Sequence, residues 1–265
     1  MRFSVLASGS GGNACYVEAN GARILIDAGL SGRRVLERLK RLGVDPARLD
    51  ALVITHEHID HIRGAGPLAR RLGLRVYLNR PTHDGGLRAL GKLPAPITVE
   101  TGRTLSIGGL RVETFTKCHD AGDPMGMVVS CDGLRLGLVT DLGRSTRLVE
   151  DRLKGCQALI VEFNHDEALL DRGPYPLYLK RRILGPDGHL SNRQAGELVR
   201  LLAHEGLGVV VPAHLSGENN LPEIALREAA ATLEASGLGG TRVEMSSQDE
   251  PTPLLELRNP WSGRP

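Results

Sequence analysis

The sequence predicts a mixed α/β fold of the α+β type, built as a four-layer αββα sandwich. Short apolar runs with strand-like spacing alternate with longer segments of helical spacing, a pattern that favours sheets packed against helices over separate all-α and all-β units. The strand-like runs also fall into two groups, one in each half of the chain. We therefore expect two β-rich halves with helices on their outer faces.

The first half is predicted to open as a β-meander. Asn20-Gly21 is a two-residue hairpin signal, and Val35, Leu36 and Leu39 recur with the spacing of an amphipathic helix. The predicted strands of this half are residues 2–8, 14–18, 23–27, 52–55 and 75–78, and its predicted helices are residues 32–42 and 67–72.

The second half repeats this alternation. Turn signals at Gly108-Gly109 and Asp132-Gly133 indicate a second meander. The predicted strands are residues 105–116, 125–130, 134–140, 158–162, 209–211 and 254–257, and the predicted helices are residues 147–154, 192–205 and 223–235. Because no linker divides the chain, we expect one domain over residues 1–258 and a flexible tail over residues 259–265.

The composition is that of an ordinary soluble globular protein. The 265 residues include 33 Lys and Arg against 31 Asp and Glu, and the formal net charge of +2 argues neither for nor against a nucleic-acid partner. No apolar run approaches the roughly 18 to 20 residues of a membrane-spanning helix, and the N-terminal segment lacks a signal-peptide core. We therefore expect a cytoplasmic protein that does not contact a membrane.

The segment His56-Glu57-His58-Ile59-Asp60-His61, which follows the predicted strand 52–55, carries four metal-capable side chains. After a strand, residues two apart project to the same side, so His56 and His58 can converge on one ion while Asp60 and His61 diverge toward a second. Imidazole and carboxylate ligands suit Zn²⁺ and also accept Mn²⁺ or Fe²⁺. The segment therefore predicts a metal site rather than a chance group of surface histidines.

Three further metal-capable residues stand where predicted strands give way to loops. His119 follows residues 105–116, Asp141 follows residues 134–140, and His214 follows residues 209–211. Sites in α/β proteins are usually built at such strand ends. An aspartate is suited to bridge two cations, because one carboxylate can bind both and offset their mutual repulsion.

With these residues in this order, the chain resembles the metallo-β-lactamase-fold hydrolases from its opening meander to His214. The resemblance implies the metallo-β-lactamase fold and two divalent metal ions, Zn²⁺ or Mn²⁺. It implies that one metal is held by His56, His58 and His119, and the other by Asp60, His61 and His214, with Asp141 bridging.

Five shorter segments narrow the resemblance to the YycJ (WalJ) family of DNA exonucleases. They are residues 8–13 (SGSGGN), 27–29 (DAG), 164–166 (NHD), 188–192 (GHLSN) and 214–220 (HLSGENN). The resemblance implies phosphodiester hydrolysis with nucleic acid as substrate, DNA being favoured over RNA, and cleavage in the 5′ to 3′ direction.

Phosphodiester cleavage by two metals needs a nucleophile and a proton donor. A metal-bridging hydroxide would attack in line, and an acid would protonate the departing alkoxide. His189, just before the predicted helix 192–205, is the first candidate for that acid, and His165 is its rival. The loop of His189 also resembles that of RNase Z-type nucleases, in which a Glu at the place of Glu162 orients the histidine. We expect Asp60 to be required for turnover.

The sequence offers three segments for binding the substrate. The loop 10–13 is compatible with anion binding, the helix start at residues 191–192 attracts phosphate, and residues 175–182 interleave aromatic and basic side chains as in single-strand binders. Glycine turns, an N-cap and an amphipathic helix are the bland alternatives. The expected substrate contacts are Ser10, Asn13, Ser191, Asn192, Lys180 and Arg181.

Two other functions stay open at this point. One is a phosphodiesterase acting on a small cyclic phosphate, although the chain lacks the clustered cysteines of the additional zinc site in such relatives. The other is a metal-bound regulatory scaffold without catalysis, which the loss of a ligand would suggest, yet no motif position is missing. Nothing in the sequence indicates the oligomeric state.

Overall fold

The computed structural model describes residues 1–257, so the predicted tail at 259–265 lies outside the described residues. The strands are β1 (Arg2–Ala7), β2 (Ala14–Ala19), β3 (Ala22–Ile26), β4 (Ala51–Val53), β5 (Arg75–Leu78), β6 (Ala95–Thr98), β7 (Thr104–Ile107), β8 (Leu110–Thr116), β9 (Met125–Cys131), β10 (Leu134–Val139), β11 (Ala158–Glu162), β12 (Val209–Ala213), β13 (Arg242–Val243) and β14 (Leu255–Glu256). The helices are α1 (Gly32–Arg41), α2 (Ile59–Ile62), α3 (Ala65–Leu72), α4 (Arg80–Leu90), α5 (Arg147–Leu153), α6 (Glu167–Arg172), α7 (Leu177–Ile183), α8 (Asn192–Leu202) and α9 (Pro222–Ala235).

The two sheets share one plan, in which an antiparallel meander continues into parallel strands. The first sheet has the order β14-β1-β2-β3-β4-β5-β6, antiparallel through β3 and parallel from β3 to β6. The second has the order β13-β12-β11-β10-β9-β8-β7, antiparallel from β7 to β10 and parallel from β10 to β13. The carboxyl ends of parallel strands lie at one edge of a sheet, where loops can meet.

Three apolar cores separate four layers. The central core lies between the sheets and includes Phe3, Ile24 and Met127. A second core packs α1 and α3 against the first sheet, and a third packs α5, α8 and α9 against the second sheet. The predicted αββα sandwich is therefore confirmed.

Both hairpin signals are confirmed by the backbone. The φ angles of Asn20 and Gly21 are 47° and 78°, and those of Asp132 and Gly133 are 51° and 79°. These left-handed values are what a two-residue type I′ turn requires at both central positions.

Helix α4 was missing from the sequence prediction. Its Gly85 and Gly86 lower helical propensity, but both are packed closely in the fold. A Cβ at Gly85 would lie 2.9 Å from the side chain of Glu57, and one at Gly86 would lie 3.0 Å from that of Ile62. The glycines therefore allow α4 to approach the loop that carries the histidine motif. Within residues 1–257, no helix is both long and apolar enough to cross a membrane.

Candidate metal centre

The histidine motif forms a tight turn between β4 and α2. His58 precedes α2, and Asp60 and His61 lie on its single turn, where the backbone N–H of His61 donates to the carbonyl of His58 at 2.9 Å. The chain therefore sends His56 and His58 to one side and Asp60 and His61 to another. His119, Asp141 and His214 come from the loops after β8, β10 and β12.

Three histidines form a first cluster. One ring nitrogen each of His56, His58 and His119 lie within 4.8 Å of one another, and Nε2 of His119 is 3.2 Å from Nδ1 of His58. Each ring uses its other nitrogen on the protein: His56 Nδ1 contacts Thr55 Oγ1, His58 Nε2 contacts the carbonyl of Asp120, and His119 Nδ1 contacts that of Gly188. Such anchors fix the tautomer and leave one nitrogen for a metal.

Asp60, His61, Asp141 and His214 form a second cluster, with ligand atoms within 4.8 Å of one another. Asp60 Oδ2 lies 3.5 Å from His61 Nε2 and 3.6 Å from His214 Nε2. The outer nitrogens of both rings are again anchored, His61 Nδ1 on Asp27 Oδ2 at 2.7 Å and His214 Nδ1 on Glu162 Oε1 at 2.9 Å. All five imidazoles thus have one ring nitrogen anchored on the protein and point the other toward the clusters.

Asp141 stands between the two clusters. Its Oδ1 is 3.3 Å from His214 Nε2 and 3.8 Å from His119 Nε2, and its Oδ2 is 3.1 Å from His61 Nε2. The residue has a left-handed φ of 53°, a conformation that Asp tolerates better than most side chains. The carboxylate therefore faces both groups of imidazoles at once.

The residues present fit a metal centre. His56 Nε2 and His214 Nε2 are buried and have no hydrogen-bond partner within residues 1–257. Buried polar atoms are normally paired, so the unpaired nitrogens of these two imidazoles fit the role of metal ligands. Nitrogen and carboxylate donors in these numbers suit Zn²⁺ and also accept Mn²⁺.

The charges of the two clusters differ. Burial, with His61 nearby, lowers the pKa of His56 well below its usual value, and burial lowers the pKa of His119 to about 4. Burial also acts to lower the pKa of His61, but the carboxylates of Asp141 and Asp27 outweigh it and raise that pKa to about 10. His56 and His119 are therefore neutral imidazoles, the form that binds metal. The second cluster instead contains two carboxylates, Asp60 and Asp141, whose negative charge a cation would neutralise.

Glu162, at the end of β11, connects this centre to His189. Its fully buried carboxylate accepts from His189 Nδ1 at 2.8 Å and from His214 Nδ1 at 2.9 Å through the same oxygen. Burial acts to raise the pKa of Glu162, but His189 and His214 outweigh it and lower that pKa. The ring of His189 lies 5.3 Å from that of His119 and 5.2 Å from that of His214. His189 therefore stands beside both clusters.

His165, the rival of His189, lies deeper in the protein. It is 0% exposed, and neither of its ring nitrogens has a hydrogen-bond partner within the described chain. Burial lowers its pKa to about 4, and it belongs to none of the three groups of potential ligands that residues 1–257 contain. The structure does not bring His165 into the centre.

Four of the expected substrate contacts have other partners in the structure. Asn13 is buried and its Nδ2 lies 3.2 Å from Asp60 Oδ2, so it supports a candidate ligand. Ser191 caps α8, which was the bland alternative, and Asn192 pairs with Asn220. Lys180 Nζ donates to the carbonyl of Asp171.

The glycine-rich loop is also not a free anion cradle. The backbone N–H of Gly9 donates to Asn13 Oδ1, and that of Gly11 donates to Gln248 Oε1. These donors are therefore used inside the protein. Ser10 and Arg181 are exposed, and Ser10 lines a cavity beside His189.

Sequence reasoning missed three supports of the centre. Asp27 anchors His61, and Asn164 Nδ2 donates to the carbonyl of His214 at 3.0 Å. Lys117 is buried, donates to the carbonyl of Thr140 and lies 3.9 Å from Asp141 Oδ2. Asp27 and Asn164 lie in segments that carried the family resemblance, but nothing local to them indicated a partner.

Comparisons with known proteins identify the family to which the residues of this centre are similar. Residues 7–214 match the metallo-beta-lactamase superfamily. The chain is 35% identical over 256 residues to the exodeoxyribonuclease YycJ of Bacillus anthracis, covering 96% of this chain and 97% of that protein. It is 37% identical over 269 residues to the exodeoxyribonuclease WalJ of Streptococcus pneumoniae serotype 2, covering 97% and 98%. The crystal structure of the metallo-beta-lactamase fold protein YhfI from Bacillus subtilis shares the fold, with a TM-score of 0.71 at 18% identity over 94% of this chain and 98% of that one.

Proposed function

The chain belongs to the metallo-beta-lactamase superfamily and, within it, to the family of the YycJ and WalJ exodeoxyribonucleases, and from this premise we propose that it is a dinuclear metal-dependent exonuclease acting on DNA. The observation that carries the proposal is the convergence of five imidazoles, each with one nitrogen anchored and the other pointing inward, around the carboxylate of Asp141. A scaffold without catalysis would need Glu162 to anchor His214 but would not need the partly exposed His189 beside that convergence.

Two groups of residues would hold the metal ions. His56, His58 and His119 would bind one ion, Asp60, His61 and His214 would bind the other, and Asp141 would contact both. When bound, divalent ions lower the pKa of a water molecule and stabilise charge on the attacking and leaving oxygens of a phosphodiester. These nitrogen and carboxylate donors suit Zn²⁺ and also accept Mn²⁺.

His189 is the proposed proton donor to the leaving oxygen. Its Nδ1 donates to Glu162 at 2.8 Å, so Nε2 of the protonated ring is left to donate outward. The side chain of His189 is 21% exposed and lines a cavity beside the centre, whereas His165 is 0% exposed. Glu162 acts through His189, because its buried carboxylate accepts from Nδ1 and fixes the orientation of the ring.

The test is a cleavage assay on DNA labelled at either end, with single- and double-stranded DNA, RNA and a chromogenic phosphodiester as parallel substrates. We expect stepwise degradation of DNA in Zn²⁺ or Mn²⁺, starting at the 5′ end as the family resemblance implies, and no degradation after chelation. Chelation should also lower the melting temperature. An ion present at a free concentration of 100 times its Kd stabilises the folded protein by about 2.7 kcal/mol per site.

Variants separate this proposal from its alternatives. Removal of a residue that only orients a metal ligand lowers metal affinity by about 10- to 100-fold. Asp60→Ala removes a candidate ligand itself, so it should lower metal affinity by more than this and should also abolish activity. The matched control is Asp84→Ala, an exposed aspartate on α4 that pairs with Arg80. Cleavage of the chromogenic ester without degradation of any polymer would favour a small cyclic phosphate as substrate. Full metal content without cleavage of any substrate would favour the scaffold.

A further inference from the structure

A cavity of about 170 Å³ opens beside His189. His189 stands next to the rings of His119 and His214, which belong to the two clusters. A molecule in this cavity would therefore lie next to the metal centre. Typical ligand clefts measure about 300–1,000 Å³, so the cavity is suited to a single small group rather than to a stretch of polymer.

The cavity has an apolar wall from α7 and the segment before it. Tyr175, Leu179 and Ile183 form this wall. Tyr175, in the segment before α7, is half-buried there, whereas Tyr178, on α7, is 74% exposed and does not line the cavity. An aromatic ring with aliphatic neighbours is the surface on which a nucleobase stacks.

The remaining lining is polar. Ser10 and Ser216 contribute hydroxyl groups. The hydroxyl of Ser216 accepts from the backbone N–H groups of Glu218 and Asn219, so its own proton can be donated to a ligand. Arg182 and Asp120 also line the cavity, and Arg182 Nε donates to Asp120 Oδ2 at 2.6 Å, which keeps the acidic side chain from repelling a phosphate.

We propose that this cavity holds the base of the terminal nucleotide of the substrate strand, stacked on Tyr175, while the phosphate of that nucleotide is directed toward the metal centre. The inference rests on the proposed nuclease function and adds to it a reason for cleavage at an end, because a cavity of about 170 Å³ has room for a single base. Neighbouring nucleotides of the strand must then lie outside it.

The experiment compares Tyr175→Ala, Tyr175→Phe and the matched control Tyr178→Ala in the full-length, metal-loaded protein. Each is assayed on a DNA oligonucleotide, on the same oligonucleotide with an abasic terminal nucleotide, and on the chromogenic phosphodiester. We expect Tyr175→Ala to lower kcat/KM on the intact oligonucleotide by about 5- to 150-fold, the range that base–aromatic stacking gives. Tyr175→Phe and Tyr178→Ala should stay close to wild type.

The abasic substrate isolates the stacking contact. The wild type should lose activity on it by the same factor as Tyr175→Ala loses on the intact strand, and Tyr175→Ala should not discriminate between the two strands. Tyr178→Ala should cleave the chromogenic ester at the wild-type rate, and all variants should retain the wild-type metal content, because neither tyrosine belongs to the two clusters. Equal behaviour of Tyr175→Ala and Tyr178→Ala on DNA would overturn the pocket while leaving the nuclease function intact. A wild type that cleaves only the chromogenic ester would overturn both.

Discussion

The carboxylate of Glu162 accepts five hydrogen bonds, and its replacement by an amide should lower the free energy of unfolding. Oε1 accepts from the backbone N–H of Asp141, at 3.2 Å, and from two imidazoles, while Oε2 accepts from the backbone N–H groups of Leu142 and Leu190 at 2.9 Å and 3.1 Å. Every one of these neighbours is a donor. In Glu162→Gln, the NH₂ group must therefore face donors whichever way it turns.

The amide of Glu162→Gln can adopt two orientations, and the one that leaves fewer donors unpaired determines the loss in the free energy of unfolding. An NH₂ group in place of Oε1 would face three donors, whereas in place of Oε2 it would face the N–H groups of Leu142 and Leu190. A buried donor left without an acceptor costs about 1–3 kcal/mol. We therefore expect the free energy of unfolding of Glu162→Gln to fall by about 2–6 kcal/mol.

Urea denaturation of the metal-free protein measures this change without involving catalysis. The control is Glu197→Gln, an exposed residue paired with Arg193 one helical turn away, which should change the free energy of unfolding by less than about 0.5 kcal/mol. If too little folded Glu162→Gln is obtained for titration, thermal unfolding should show a melting temperature lowered by about 5 to 20 °C. A variant within 1 kcal/mol of wild type would refute the reasoning about the donors.

Two further predictions concern the acid and the backbone. His189→Gln should lower kcat by about 10²- to 10⁴-fold at unchanged metal content, whereas His165→Gln should leave kcat nearly unchanged. Single-turnover assays compare the two variants, and equal losses would contradict the assignment of His189 as the acid. Gly29→Ala should destabilise the fold by at least about 3 kcal/mol, because a Cβ there would lie 1.5 Å from the carbonyl oxygen of Asp60. Gly217→Ala, with open space around it, is its control in chemical denaturation, and similar unfolding of the two would count against the predicted clash.

The sequence by itself determined the features that depend on neighbours along the chain. The alternation of strand-like and helical runs gave the αββα layers, and Asn20-Gly21 gave a hairpin because both positions require left-handed φ values. The histidine motif was recognisable because four potential ligands lie within six residues after a strand. Helix α4 was missed because its glycines are explained only by packing against Glu57 and Ile62, which belong to other elements.

Only the tertiary structure decided which side chains support the centre. Asp27 meets His61 across 34 positions of sequence, and Glu162 meets His214 across 52. These pairs form because the order of strands in each sheet brings distant strand ends to one edge, and no local pattern encodes that order. For the same reason Asn13, expected to bind substrate, lies against Asp60 instead. Side-chain direction and burial follow from packing between elements, whereas the residue types available to bind metal follow from the sequence.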